Sequence, residues 1–297
     1  MRIFNFGSLN FDHIYRVNHL VQPGETISSE DYCLNMGGKG FNQSVAAAKA
    51  GCEVWHIGKI GPDGKQFKTF LQSLDVNTDY ISESKFQTGH TVIQVDRKGQ
   101  NSIILYNGAN FDVDPAFIDC AGQNLHSEDI VLLQNEISHN AYIMESAHRR
   151  GVRIAFNPSP ITEGIFRLPL QYVKWFLINE IEGAELTGES EPENIADQLL
   201  QKFPSSSVIL TLGRKGVLYK DAEREIKHGV YQVKRVDTTG AGDTFTGYFI
   251  AGIAQNLPLA EIIRRASIAS SITVSRRGTS SSIPTLDEVL TTKFELC

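Results

Sequence analysis

Val236-Asp237-Thr238-Thr239-Gly240-Ala241-Gly242-Asp243-Thr244-Phe245 is a run of small and polar residues that opens directly into an apolar stretch of helical spacing, Ala241 to Gln255. Backbone N–H groups at a helix start have no intrahelical acceptor and lie at the positive end of the helix dipole, and glycines let an anion approach them closely. The segment therefore reads as an anion hole suited to a phosphoryl group, built from Gly240, Ala241 and Gly242. Asp243, in the first turn of the same helix, stands where it can take a proton from a hydroxyl attacking phosphorus. A carboxylate that merely complements the helix dipole would look the same, so this segment alone leaves both readings open.

Outward from it, short apolar runs rich in β-formers alternate with helix-periodic segments, the pattern of βαβ units around a mostly parallel sheet. The runs are Ile3 to Phe6, Glu53 to Ile57, Ile130 to Leu133, Arg153 to Phe156, Trp175 to Ile178 and Val208 to Leu212. Helices are expected at Gly40 to Ala50, Asp63 to Leu74, Asn140 to Arg150, Glu180 to Leu186, Ile195 to Phe203, Ala241 to Gln255 and Leu259 to Ser275. Residues 12–35 and 87–106 break this rhythm and read as extended, with the polar turn Asp96 to Asn101 between two alternating runs. They form either a small separate β layer, which would make a natural lid over an α/β body, or an edge extension of the main sheet.

A second small-residue element, Met36-Gly37-Gly38-Lys39-Gly40-Phe41-Asn42-Gln43, also leads into a helix. Lys39 and Asn42 offer a cation and an amide suited to polyol oxygens, although tight strand–helix packing would account for the glycines equally well. Asn10 and Asp12 follow the first strand, where sites of open α/β sheets form, and Gln134-Asn135-Glu136 and Asn179-Glu180-Ile181-Glu182 follow later strands. Each is an ordinary turn sequence by itself; their recurrence after strand upon strand is the informative feature.

The 297 residues, 41% of them hydrophobic and 21% charged, suffice for one large α/β domain. A formal net charge of −6 argues against a general nucleic-acid or membrane-surface protein. The start of the chain lacks the features of a secretory signal, so a cytoplasmic protein is expected. Cys33, Cys52, Cys120 and Cys297 show no paired spacing and are expected to be reduced thiols. P-loop, dinucleotide-binding, protein-kinase, zinc-hydrolase and esterase motifs are all missing.

Taken in order, Gly-Gly-Lys-Gly-x-Asn at 37–42, Asn157-Pro158, Asn179-x-x-Glu182 and Asp-Thr-x-Gly-Ala-Gly-Asp at 237–243 resemble the ribokinase branch of the PfkB carbohydrate kinase family, from Gly7 to Pro284. The resemblance implies a three-layer α/β/α body with a central mostly parallel sheet and a small β-sheet lid, the lid coming from about 12–35 and 87–106 of a single domain. It implies Asp243 as catalytic base over the anion hole. Asn10, Asp12, Gly38, Lys39, Asn42 and Glu136 match sugar contacts. Asn179 and Glu182 match an element organising the phosphates and Mg²⁺, and Thr211, Gly213 and Gly216 match a nucleotide-binding loop. Asp237 and Thr239 match one half of a K⁺ site, and Thr273, Arg276, Gly278 and Ser282 the other, Arg276 through its carbonyl alone. Ala266 stands where a ribokinase can carry a His near the adenine, which implies a differently lined purine pocket.

The activity implied is ATP-dependent phosphorylation of a sugar primary hydroxyl, foremost D-ribose to D-ribose 5-phosphate. Nucleosides and other sugars are the alternative acceptors, and a homodimer joined through the lid is the implied assembly. A non-catalytic sugar sensor would have lost the base or the glycines of the anion hole, and this sequence keeps them.

Overall fold

The computed structural model describes residues 1–296; Cys297 lies outside the described residues. From the start of the chain come β1 (Ile3–Phe6), β2 (Asn10–Arg16), β3 (Asp31–Gly37), α1 (Lys39–Lys49), β4 (Val54–Ile60), α2 (Lys65–Gln72) and β5 (Ile81–Glu83). They are followed by β6 (Gly89–Val95), β7 (Asn101–Tyr106), α3 (Pro115–Gly122), β8 (Ile130–Gln134), α4 (Asn140–Arg149) and β9 (Arg153–Asn157). Next are β10 (Val173–Asn179), α5 (Glu180–Thr187), α6 (Pro192–Lys202), β11 (Ser207–Thr211), β12 (Val217–Lys220) and β13 (Glu225–His228). The chain closes with α7 (Ala241–Ala254), α8 (Leu259–Val274) and α9 (Leu286–Thr291).

Nine strands form one sheet in the order β13-β12-β11-β10-β9-β8-β1-β4-β5. The strands from β11 across to β5 pair in parallel, and only β12 and β13 run antiparallel at the edge. Successive side chains of a strand point to opposite faces, and here both faces are apolar, as a doubly covered parallel sheet requires. Ile3, Leu132 and Leu177 pack against α1, α2, α7, α8 and α9. Phe4, Leu133 and Phe176 pack against α3 to α6 on the other side. The chain winds outward from β1 in both directions, so the topological switch lies at β1, and the crevice beyond its carboxyl end is where such sheets bind ligands.

The two extended stretches form a second, separate sheet of order β3-β2-β6-β7, which decides between the arrangements the sequence left open. Its centre is a parallel pairing, Asn10 beside Gly89, rather than two independent hairpins. The strands extend to Asn10 and Gly37, slightly beyond the expected limits, while 17–30 contain no strand. α3, α9, β5 and the β12–β13 hairpin were not anticipated. α9 carried a readable signal, since Thr285 and Glu288 form a reciprocal capping box.

Among the described residues no helix is long and apolar enough to cross a membrane. Cys33, Cys52 and Cys120 are free.

Candidate active site

Two glycine-rich segments lead into helices, and the structure separates their roles. At α1 the first-turn amides already have protein acceptors. Lys39 N–H donates to the Glu136 carboxylate at 3.0 Å, Gly40 N–H to Ser8 Oγ at 3.2 Å and Phe41 N–H to the Ser8 carbonyl at 2.9 Å. At α7 no side chain caps the helix. Ala241 N–H turns back to Thr238 and Thr244 N–H reaches the Gly240 carbonyl, while those of Gly242 and Asp243 have no acceptor among the described residues. The turn into α7 needs a left-handed residue, and Gly240, at φ 75°, supplies it without a Cβ penalty. Only α7 therefore presents open N–H groups to an anion.

The open end of α7 lies between two cavities. One, of about 700 Å³, is bounded by Thr211, Gly213, Gly216 and Arg235 and by the Ser267, Ser270, Ser271 and Val274 face of α8. The other, of about 240 Å³, is polar and is bounded by Lys39, Asn157, Asn179, Glu182, Gly240 and Asp243. Thr211, Thr238, Gly242 and Phe245 border both. The larger has the volume of a drug-sized ligand site.

Asp243 receives two side-chain amides from consecutive residues of α1: Asn42 Nδ2 donates to Oδ2 at 3.0 Å, and Gln43 Nε2 donates to Oδ1 at 2.9 Å. Lys39 is held above the ordinary lysine pKa: burial pulls it down, but the charges of Asp243, Glu136 and Glu182 outweigh that. Burial pushes the Glu136 carboxyl up, against the opposing pull of Lys39 and of the Ser8 hydroxyl that donates to it. Asn10 is buried and accepts from Asn110 Nδ2 at 2.7 Å. Asp12 accepts from Thr91 Oγ1 at 2.6 Å, which ties β2 to β6 of the second sheet.

Burial also raises the Asp12 carboxyl, opposed by the Thr91 hydroxyl and assisted by the Asp243 charge. A carboxyl whose folded pKa is raised contributes stability that is present below its unfolded pKa and is lost as pH rises through the folded one. In the ligand-free protein, Asp12→Asn should thus gain on the unmodified chain as pH climbs from about 4 to about 7. Paired thermal melts across that range measure the gap; a gap independent of pH would contradict it.

Asn179 and Glu182 form a reciprocal cap on α5, Asn179 N–H donating to Glu182 Oε2 at 3.0 Å and Glu182 N–H to Asn179 Oδ1 at 2.9 Å. The loops at 237–239 and 273–282 meet: Asp237 N–H donates to the Val274 carbonyl and Gly278 N–H to Asp237 Oδ2 at 3.4 Å. Asp237 Oδ1 accepts from the Thr239 amide and hydroxyl at 2.9 and 2.7 Å. Thr273 is buried and its hydroxyl lies 3.1 Å from that of Thr244, while Ser282 Oγ donates to the Thr279 carbonyl. The Arg276 guanidinium pairs with Glu288 of α9. Of the six residues matched to sugar contacts, Lys39 borders the smaller cavity; Asn10, Asp12, Gly38, Asn42 and Glu136 do not line either one.

Two features of the site escaped the sequence. Ala266 is fully buried in the core and borders neither cavity. The half-buried stripe of α8 that borders the larger cavity runs one position later, at 267, 270, 271 and 274, a helical spacing among apolar neighbours that is readable in sequence. Residues 229–233, which also border the larger cavity, carry no motif that would mark them.

A wide cleft beside a small polar cavity at an open helix start, with a carboxylate lining the smaller cavity, is the layout of an ATP-dependent carbohydrate kinase. The chain belongs to the pfkB family of carbohydrate kinases, whose family model matches residues 2–286. It is 35% identical to the ribokinase of Haemophilus influenzae over 96% of this chain and 95% of that protein. It is also 35% identical to the ribokinase of Schizosaccharomyces pombe, over 97% and 96%. Among solved structures, a ribokinase from Cryptococcus neoformans in complex with ADP superposes with a TM-score of 0.86 at 32% identity, covering 97% of this chain and 98% of that one. The Arabidopsis thaliana ribokinase complexed with ribose and ATP gives 0.83 at 31%, covering 97% of each.

Proposed function

We propose that the chain transfers the γ-phosphoryl group of ATP to the primary hydroxyl of D-ribose, forming D-ribose 5-phosphate and ADP. The observation that carries this reading is the pairing of open N–H groups at the start of α7 with Asp243 in the same turn. ATP occupies the larger cavity, with Thr211, Gly213 and Gly216 against it, and its γ-phosphate points to the Gly240-Ala241-Gly242 start of α7, where the Gly242 and Asp243 amides are open while that of Ala241 is engaged by the Thr238 carbonyl. The sugar lies under the second sheet, held by Asn10, Asp12, Gly38, Lys39, Asn42 and Glu136. Asp243 removes the hydroxyl proton as the oxygen attacks phosphorus, while the Gly242 and Asp243 amides and Lys39 stabilise the transferring group. Most of the acceleration comes from positioning and electrostatics.

Asn179 and Glu182 fit a Mg²⁺ that arrives with the nucleotide, because both border the smaller cavity and the cap on α5 uses Glu182 Oε2, leaving the other carboxylate oxygen without a donor among the described residues. Mg²⁺ would neutralise charge on the phosphates. The meeting loops offer hard oxygen donors around Asp237, with Thr239, Thr273, Gly278 and Ser282, which suits K⁺. Arg276 can contribute only its carbonyl there, since its guanidinium is engaged by Glu288.

ADP release from Mg·ATP, measured across ribose, deoxyribose, fructose and nucleosides with and without K⁺, tests this. Ribose should be turned over best, and replacing K⁺ by a large organic cation should depress the rate. Preference for deoxyribose is the second reading, since a deoxyribokinase of Salmonella typhi is 30% identical over 97% of each chain. A nucleoside preference would leave the chemistry in place and overturn the acceptor. We place the protein in the cytoplasm, where three described free thiols fit a reducing compartment.

A homodimer through the second sheet fits the exposure of β7, all six of whose residues are exposed, Ile103 and Ile104 at 55% and 64%. Light scattering should give twice the chain mass of 32.9 kDa, and Ile104→Glu should halve it. A monomer before substitution would rule the dimer out.

A further inference from the structure

Behind Asp243 runs a chain of buried amides, of which Gln43, Gln134 and Asn5 border neither cavity. Gln43, 0% exposed, donates through Nε2 to Asp243 Oδ1 at 2.9 Å and to Asn157 Oδ1 at 3.2 Å. Its Oε1 accepts from Gln134 Nε2 at 2.7 Å, and Gln134 also donates to Asn5 Oδ1 at 3.0 Å. Asn5 Nδ2 in turn donates to the Gly40 carbonyl at 2.7 Å and to Ser44 Oγ at 2.8 Å. Ser44 Oγ in turn pairs with His56 Nδ1, 2.8 Å away, and His56 stays neutral because burial lowers its pKa to about 4.

The direction of the amide links is dictated from one end. A carboxylate only accepts, so Gln43 must present its NH₂ to Asp243 and therefore its oxygen to Gln134. A flipped Gln43 would set its oxygen against the carboxylate, and the Gln134 donor is what holds Gln43 the other way round. Asn42, the second donor to Asp243, lies next to the sugar contacts and is matched to one; Gln43 is sealed from solvent and acts through the two side chains it donates to, Asp243 and Asn157.

We propose that Gln43, oriented by Gln134, is the residue that positions Asp243 for proton abstraction. This rests on Asp243 being the base. Losing the Nε2 donor frees the carboxylate to rotate away from the acceptor hydroxyl without altering any group that touches ribose or ATP. Such misplacement costs turnover and spares binding.

The experiment is steady-state kinetics on Gln43→Met, Gln134→Met, the double variant and Asp243→Asn, each normalised to folded protein by thermal melts. Gln43→Met should lower kcat roughly 10- to 100-fold with KM for ribose and ATP unchanged. Gln134→Met should lower kcat by less, and the double variant should match Gln43→Met alone, because Gln134 acts only through the Gln43 amide. If Asp243→Asn is inactive while Gln43→Met keeps the unmodified kcat, the positioning role is overturned and the base survives. If Asp243→Asn keeps full kcat, the base itself falls, and the positioning role with it. Should Gln43→Met not fold, Gln134→Met decides: an unchanged kcat there overturns the proposal. A purely structural role would show lower melting temperatures that add in the double variant, with kcat per folded molecule unmoved.

Discussion

Asp243→Asn should lower kcat on ribose by roughly 10²- to 10⁴-fold, the range a positioned general base contributes, while ribose binding is retained. The substitution keeps the side chain's shape and removes its ability to take a proton. It also sets an amide against the two donors Asn42 and Gln43, of which only one can still find an acceptor, at a cost of about 1–3 kcal/mol of stability. Kinetics alongside calorimetric ribose binding separate the two effects. A non-catalytic sugar sensor on this fold would be indifferent to the change, so a variant that binds ribose and turns over no slower than the unmodified chain would contradict the kinase chemistry proposed for Asp243.

Gly40→Ala should be a strongly damaging single-methyl change at the site. A Cβ on Gly40 would stand 2.3 Å from Gly7 Cα and 2.4 Å from Ser8 N. These are backbone atoms, so no rotamer change relieves the clash, and α1 would have to lift off the end of β1. Overpacking of this kind costs about 3 kcal/mol, the upper part of the usual range. The melting temperature should fall by roughly 5–10 °C. Activity should fall with it, because α1 carries Lys39, Asn42 and Gln43. Gly242→Ala is the contrasting control. Its Cβ meets nothing within 4 Å, so stability should hold, whereas a methyl in the anion hole should depress turnover. Equal melting temperatures for Gly40→Ala and the unmodified chain would contradict the close approach on which α1 is seated.

The parts of the site that sequence reading found are those written in contiguous residues. The small-residue entry to α7 lies within ten positions, and the capping pair Asn179 and Glu182 is three apart, so local chemistry suffices to see them. The βαβ rhythm was legible for the same reason, since each buried strand is a short apolar run. What depends on distant residues stayed hidden. Two glycine-rich helix starts look alike in sequence, and only the return of Ser8 and Glu136 onto α1 shows that one is closed and the other open. The pairing of β2 with β6 joins residues about eighty positions apart and has no local signature. The Gln43 to His56 chain draws on four elements, α1, β8, β1 and β4, so no spacing rule could assemble it. The β12–β13 hairpin was missed because its strands are four residues each and β13 is mostly polar.

Where the phosphoryl group goes decides the role of Asp243 and the start of α7. Ribose, Mg·ATP and K⁺ should be incubated with the protein and the product examined by phosphorus NMR, with ADP counted in parallel. The expected result is one sugar phosphate, esterified at the primary hydroxyl of ribose and equal in amount to the ADP released. ADP formed with inorganic phosphate alone, or ribose bound with no phosphoryl transfer, would contradict the assignment of Asp243 and the start of α7 as the site of sugar phosphorylation.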